Sequence, residues 1–130
     1  MVEKTTEPSV FDADCSARHA LELIASKWSV LILSALAENP MRNGALLRRI
    51  DGISQKMLTQ TLRELERNGL VLREDMQTVP PHVTYQLSRL GASLSKALIE
   101  LDHWAETNFP ELDRAKELYD GQNGQPGRLD

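Results

Sequence analysis

Cysteine and aromatic residues are scarce in this chain. Across 130 residues there is one cysteine, with two tryptophans, two tyrosines and two phenylalanines. The lone thiol, Cys15, excludes an intramolecular disulfide and a cysteine-based zinc cluster. The three histidines, His19, His82 and His103, show no metal-ligand spacing. No glycine-rich phosphate loop and no Gly-x-Ser-x-Gly elbow is present. No catalytic residue, cofactor or metal is therefore expected. The longest aliphatic run, Val30 to Leu33, is far too short to span a bilayer. Met1 to Asp14 is polar and acidic, unlike a secretory leader. These absences lead to the expectation of a cytoplasmic protein without a membrane partner.

What is present suits one domain with its own core, since 41% of residues are apolar and 26% charged. The formal net charge of −4 is unevenly spread. From Arg42 to Arg73 seven basic residues, Arg42, Arg48, Arg49, Lys56, Arg63, Arg67 and Arg73, face three acids, Asp51, Glu64 and Glu66. That block carries +4 and the remainder −8. A basic block inside an acidic protein is the electrostatic footprint of one nucleic-acid-facing surface.

The strongest pattern lies inside that block. Leu58, Leu62 and Leu65 fall at i, i+4 and i+7, an apolar stripe of helical period. Ser54 suits the N-cap and Gly69 the C′ position. The opposite face carries Gln55, Lys56, Thr59, Gln60, Arg63 and Arg67, without a carboxylate until Glu64. Such side chains pair with base edges and phosphates. Read structurally, the same pattern is an ordinary amphipathic helix with a polar outside.

In chain order, residues 1–14 read as a flexible arm. Cys15 follows, at the start of a short amphipathic helix ending near Ser26. There the helix dipole favours thiolate, while Asp12 and Asp14 oppose it. The alternative is a small buried thiol. Trp28 to Glu38 is nearly apolar all round and is expected as the central buried helix, with Trp28 in the core. Asn39-Pro40 ends it. Met41 and Arg42 suit a very short strand. Asn43 is expected to cap a short helix, Gly44 to Ile50, that turns Arg48 and Arg49 outward. A tight turn, Asp51 to Ile53, leads into Ser54. Short helix, turn and longer helix make a helix-turn-helix. Leu70 to Glu74, a loop over Asp75 to Pro81, and the alternation of Val83, Tyr85 and Leu87 make a two-stranded wing. Arg73 and His82 are expected to flank its base. Leu90 to Phe109 is a long helix whose stripe, Leu90, Leu94, Leu98, Leu101 and Trp104, exceeds what the preceding unit needs. A second subunit is the expected cover. Pro110 is expected to break this helix before a short last one, Glu111 to Tyr119. Residues 121–130 read as a disordered tail.

The ordered motifs resemble the HxlR-type winged-helix regulators, relatives of the MarR group. They are Cys15, Lys27-Trp28, Gly52-Ile53-Ser54-Gln55-Lys56-Met57-Leu58-Thr59, Leu62-Arg63-Glu64-Leu65-Glu66, Gly69-Leu70-Val71, Val79-Pro80-Pro81-His82-Val83-Thr84-Tyr85 and Leu90-Gly91. The resemblance covers about residues 15–104. It implies a homodimer, a winged helix-turn-helix and transcriptional control at operators, and in several members a cysteine at the Cys15 position senses oxidants or electrophiles. His82 stands where that family usually has Arg or Lys, Thr84 where Glu is common, and Asn43 where an aromatic is frequent. No second cysteine is available for a bridge to a distal position.

The expected fold is mainly α with a small β-wing (α+β), a winged helix-turn-helix with N- and C-terminal dimerisation helices over residues 15–120. The expected function is a homodimeric repressor of transcription on pseudo-palindromic double-stranded DNA. Helix 54–68 would enter the major groove, with the wing, 70–88, on the backbone. Ser54, Gln55, Lys56, Thr59 and Gln60 are candidates at its base-facing end. Arg42, Arg48, Arg49, Arg63, Arg67, Arg73 and His82 are candidates for phosphates. Cys15 is the redox-sensing candidate. Three other readings stay open: an inducer that is a small molecule rather than an electrophile, a protein-interaction adaptor, and a thiol enzyme with His19 one turn from Cys15. The basic block argues against the adaptor.

Overall fold

A computed structural model describes residues 7–123. Five helices and three strands follow one another: α1 (Ser16–Ile24), α2 (Lys27–Glu38), β1 (Met41–Arg42), α3 (Asn43–Arg49), α4 (Gln55–Arg67), β2 (Val71–Asp75), β3 (Val83–Leu87) and α5 (Arg89–Asn123). The chain divides after Ser95 into two units.

In the first unit the core is built from aliphatic side chains. Ile32, Leu33 and Leu36 of α2, Leu46 of α3, and Leu58, Leu62 and Leu65 of α4 are buried, with Leu70 and Val71 closing the stack. Burying a Leu or Ile contributes about 1.5–3 kcal/mol each, so α4 is held by its leucine stripe and not by its polar outside. Two serines set the helix starts. Ser26 Oγ accepts from the Ser29 amide at 3.4 Å, and Ser54 Oγ from the Met57 amide at 3.0 Å. Helix α4 stops at a left-handed glycine, Gly69, with φ +76°. There the Leu70 amide returns to the Leu65 carbonyl and the Gly69 amide to that of Glu66, a Schellman closure.

The sheet has the order β1-β3-β2, antiparallel throughout. Arg42 pairs with Thr84, and Thr84 with Glu74; Met41 pairs with Tyr85, and Tyr85 with Arg73. Helix-turn-helix and wing together make a winged helix, as the fold class expected from sequence. Ser88 ties the wing root to the start of α5. Its hydroxyl donates to the Gly69 carbonyl at 2.6 Å and accepts from the Gly91 amide at 3.0 Å, while its own amide donates to the Leu70 carbonyl.

Several expectations are corrected. Asn43 is the first residue of α3 and Arg42 occupies the cap position without a side-chain cap bond. The extended strand β1 runs directly into the helix, which leaves no room for a separate cap. Trp28 is half-buried, with the Lys27 Nζ 4.3 Å above its ring. Pro110 lies inside α5 and does not end it. A proline removes one hydrogen bond and kinks a helix, but Glu111, Leu112, Arg114, Ala115, Lys116, Glu117 and Leu118 are strong helix formers that carry the chain onward. The helix reaches Asn123, inside the stretch expected as tail, and residues 124–130 lie outside the described residues. At the other end, residues 9–15 fold into turns: the Asp12 amide donates to the Ser9 carbonyl and the Cys15 amide to the Asp12 carbonyl.

The second unit is the helical stretch from Lys96. Leu101, Trp104, Phe109, Leu112, Leu118 and Tyr119 are all exposed there, Trp104 by 54%. Leu98 is 6% exposed, unlike Leu101 and Trp104. Of the two other expected contact positions, Leu94 is half-buried and Leu90 exposed. No single helix among the described residues is long and apolar enough to cross a membrane.

Candidate nucleic-acid interface

Helix α4 presents two surfaces. Leu58, Thr61, Leu62 and Leu65 face inward. Lys56, Gln60, Arg63 and Arg67, at i, i+4, i+7 and i+11, run along the opposite side and are exposed. Gln55 and Thr59 form a shoulder beside that stripe, and Gln55 Nε2 donates to Thr59 Oγ1 at 3.0 Å. Ser54, expected near base edges, spends its hydroxyl on the cap of α4. Arg67 Nη1 lies 3.6 Å from Glu64, an exposed i,i+3 pair. Such a pair contributes at most about 1 kcal/mol and yields readily to a better anion.

Helix α3 and the wing supply the flanking cations. Arg42 and Arg48 line an open groove together with Asn43, Gly44, Pro81 and Val83. The Arg48 guanidinium folds back over the first turn of α3: a Cβ on Gly44 would lie 3.4 Å from its Nη1. Arg49, expected to face phosphate, is instead committed to a carboxylate. Its Nε and Nη2 donate to the two oxygens of Glu38 at 2.9 and 2.7 Å. Each partner favours the charged form of the other: the hydrogen bond from Arg49 lowers the Glu38 pKa, and that to Glu38 raises the Arg49 pKa. The pair ties α3 to the end of α2.

The wing differs from expectation in where its cations sit. Its root is the Val71–Leu87 pair, Arg73 lies halfway along β2, and His82 marks the entry to the tip, where its carbonyl accepts from the Met76 amide at 2.8 Å. Register, and not sequence proximity, decides this. The tip is more apolar than the sequence reading anticipated. Val79 is 99% exposed, and Met76 is exposed as well. Glu74 and Asp75 add negative charge beside Arg73. Sequence reasoning also missed Glu38 and Ser88. Ser88 had a legible signal, a serine three residues before Gly91 at the start of a helical stretch.

Away from this surface, Cys15 caps α1 with extended backbone (φ −80°, ψ 137°) and is half-buried. Backbone amides of Ser9, Ala17 and Arg18 lower the thiol pKa, although the sulfur makes no cap hydrogen bond to the first turn of α1. Partial burial and the Asp12 carboxylate oppose them. The His19 Nε2 meets the Ala13 carbonyl at 3.1 Å, bracing the turn that brings Ser9 to the thiol. His19 thus has a backbone partner, which counts against the alternative reading of it as a companion of Cys15 in a thiol enzyme. No group of three or more metal-ligating side chains occurs among the described residues.

Comparison with known proteins agrees with this geometry. Residues 23–113 match the family of HxlR-like helix-turn-helix proteins. The chain is 41% identical over 110 residues to the HTH-type transcriptional regulator YtfH of Escherichia coli, covering 85% of this chain and 87% of that one. The solved structure of a transcriptional regulator ytfH from Salmonella typhimurium superposes with a TM-score of 0.79 at 39% identity, over 85% of this chain and 99% of that one. The redox regulator HypR in its oxidised form superposes with a TM-score of 0.68 at 34% identity, over 72% of this chain and 97% of that one. These relatives are transcriptional regulators and not enzymes. With its winged helix and family match in agreement, the chain belongs to the HxlR-like helix-turn-helix transcriptional regulators.

Proposed function

We propose that this regulator binds pseudo-palindromic duplex DNA as a homodimer and represses transcription. The observation that carries the reading is the outward stripe of α4, where Lys56, Gln60, Arg63 and Arg67 stand exposed over a fully buried leucine face. A helix of this kind enters the major groove N-terminal end first. Gln55, Lys56, Thr59 and Gln60 meet base edges, and Arg63, Arg67, Arg42, Arg48, Arg73 and His82 meet phosphates. Arg49 acts by holding α3 in place through Glu38.

Dimerisation is supported by the exposed apolar residues of α5, foremost Leu101 and Trp104. Six large apolar side chains on one solvated helical stretch are the pattern of an unfilled interface. With two subunits, the paired recognition helices read half-sites about 34 Å apart. Leu101→Glu is expected to yield monomer in light scattering and to weaken operator binding, whereas a dimer that persists would remove this face from the interface.

A redox-responsive mode is favoured by the backbone amides that lower the Cys15 pKa and by the likeness to HypR. With one thiol per chain, an oxidant such as diamide converts Cys15 to a mixed disulfide with a small thiol or to a Cys15–Cys15′ bridge, whereas an electrophile alkylates the thiolate without oxidising it. A fluorescence anisotropy titration tests both parts. The probe is duplex DNA from upstream of the protein's own gene, with random duplex as competitor, in reductant and after diamide. Binding that resists competitor and is lost on oxidation, but kept by oxidised Cys15→Ser, is the expected result. Specific binding that ignores diamide overturns the redox part alone. Equal affinity for both duplexes counts against sequence-specific recognition of that site.

A further inference from the structure

One side-chain bond on α4 bears on which base the helix accepts. Gln55 Nε2 donates to Thr59 Oγ1 across one helical turn, at 3.0 Å. A primary amide carries two N–H donors on its nitrogen and one acceptor oxygen. With one N–H committed to Thr59, the outward edge presents one donor beside one acceptor. Adenine offers the complement in the major groove, the acceptor N7 next to the donor N6 amino group. Guanine offers two acceptors there, N7 and O6. It would suit the opposite amide orientation, in which Oε1 accepts from the Thr59 hydroxyl and both N–H groups point outward. The direction of one hydrogen bond therefore selects between the purines. Gln60, on the same helix, has no such side-chain partner among the described residues, and its amide is free to turn. Thr59 is half-buried and β-branched, which restricts its χ1 in a helix to two main rotamers, and the one adopted here sets its hydroxyl against Gln55.

We propose that Gln55 selects adenine at one position of each half-site, and that Thr59 is the positioning residue that fixes the Gln55 amide for it. The proposal rests on α4 entering the major groove. The test is selection from a random duplex library by the full-length protein and by Gln55→Ala, Thr59→Val and Thr59→Ser, each read by sequencing. Valine matches threonine in shape but accepts no hydrogen bond. The wild-type protein is expected to enrich a motif with a fixed adenine in each half-site. Gln55→Ala loses that preference, by about fivefold or more. Thr59→Val admits guanine at the same position, while Thr59→Ser retains the wild-type motif. Replacing the fixed adenine with 7-deazaadenine, which lacks the N7 acceptor, should weaken the wild-type protein and leave Gln55→Ala indifferent. A wild-type motif from Thr59→Val, or guanine as the base lost with Gln55, overturns the proposal while α4 remains a recognition helix. If the wild-type protein enriches no motif, the recognition-helix reading falls and takes this proposal with it.

Discussion

Replacing Gly91 with alanine sets two opposed effects against each other, and the structure says which should win. Gly91 is the third residue of α5, and alanine favours a helix over glycine by up to about 1 kcal/mol. On that ground alone the variant would be more stable. A Cβ at Gly91, however, would press into the Leu70 carbonyl oxygen, with the Leu70 carbonyl carbon at 3.1 Å and Leu87 Cδ2 at 3.3 Å. An unstrained carbon–oxygen contact is about 3.3–3.6 Å, so relief needs a displacement of roughly an ångström. Leu70 has little freedom to give. Its amide closes the end of α4 on Leu65, its carbonyl accepts from Ser88, and its side chain is buried. Overpacking of this kind costs about 1–3 kcal/mol, and loosening one of those hydrogen bonds adds about 1 kcal/mol. The net expectation is a loss of roughly 2 kcal/mol. With a urea slope of about 1–3 kcal/mol per molar, the unfolding midpoint followed by circular dichroism should fall by about 1 M. Gly121→Ala serves as the control, since nothing lies within 4 Å of a Cβ there, and it should leave the midpoint unchanged or slightly raised. A midpoint for Gly91→Ala equal to or above the wild-type value would refute the claim that this junction is closed by contact.

The Glu38–Arg49 pair predicts a pH signature. Because the folded-state pKa of Glu38 is depressed by Arg49, its stabilisation is present above the ordinary glutamate value of about 4.3 and is lost as pH falls through the lower folded value. The midpoint difference between wild type and Glu38→Gln should accordingly hold at pH 7 and close only below that range; a difference independent of pH would dismiss the ionic account. Cys15 should react with iodoacetamide with a pH midpoint below the ordinary thiol value of about 8.5, because amides of Ser9, Ala17 and Arg18 favour thiolate. A midpoint at or above that value would mean that burial and Asp12 prevail. Arg67→Ala should weaken binding to all duplexes and reduce the salt dependence by up to about one unit of slope, and an unchanged slope would strike Arg67 from the phosphate contacts.

The parts of the structure that sequence made visible are those fixed by neighbours in the chain. The ends of α4 follow from Ser54 and Gly69, which act within a few residues, and its buried face from the spacing of Leu58, Leu62 and Leu65. What was hidden depends on partners brought together by folding. Arg49 reads as a free cation until Glu38, eleven residues earlier, is placed against it. His82 moves from wing root to wing tip once the register of β2 and β3 is known. Pro110 shows the limit of a local rule, because the helix formers after it prevail over the break. The Gln55–Thr59 bond was open to inspection, since i and i+4 are neighbours on any helix, but spacing alone does not say which way the amide turns.

Strand β2 has β3 on one side only, so the other side of its backbone lies at the edge of the sheet. An exposed edge invites pairing with another copy of the same strand and so begins aggregation. The run Leu70-Val71-Leu72 would be hazardous there by itself, with its high β-propensity and lack of charge. Arg73, Glu74 and Asp75 follow without interruption, all exposed, and act as gatekeepers against that outcome. Removing the two acids to make the wing more attractive to DNA would therefore trade colloidal stability for affinity, and a tighter-binding variant of this kind should precipitate at concentrations the wild-type protein tolerates.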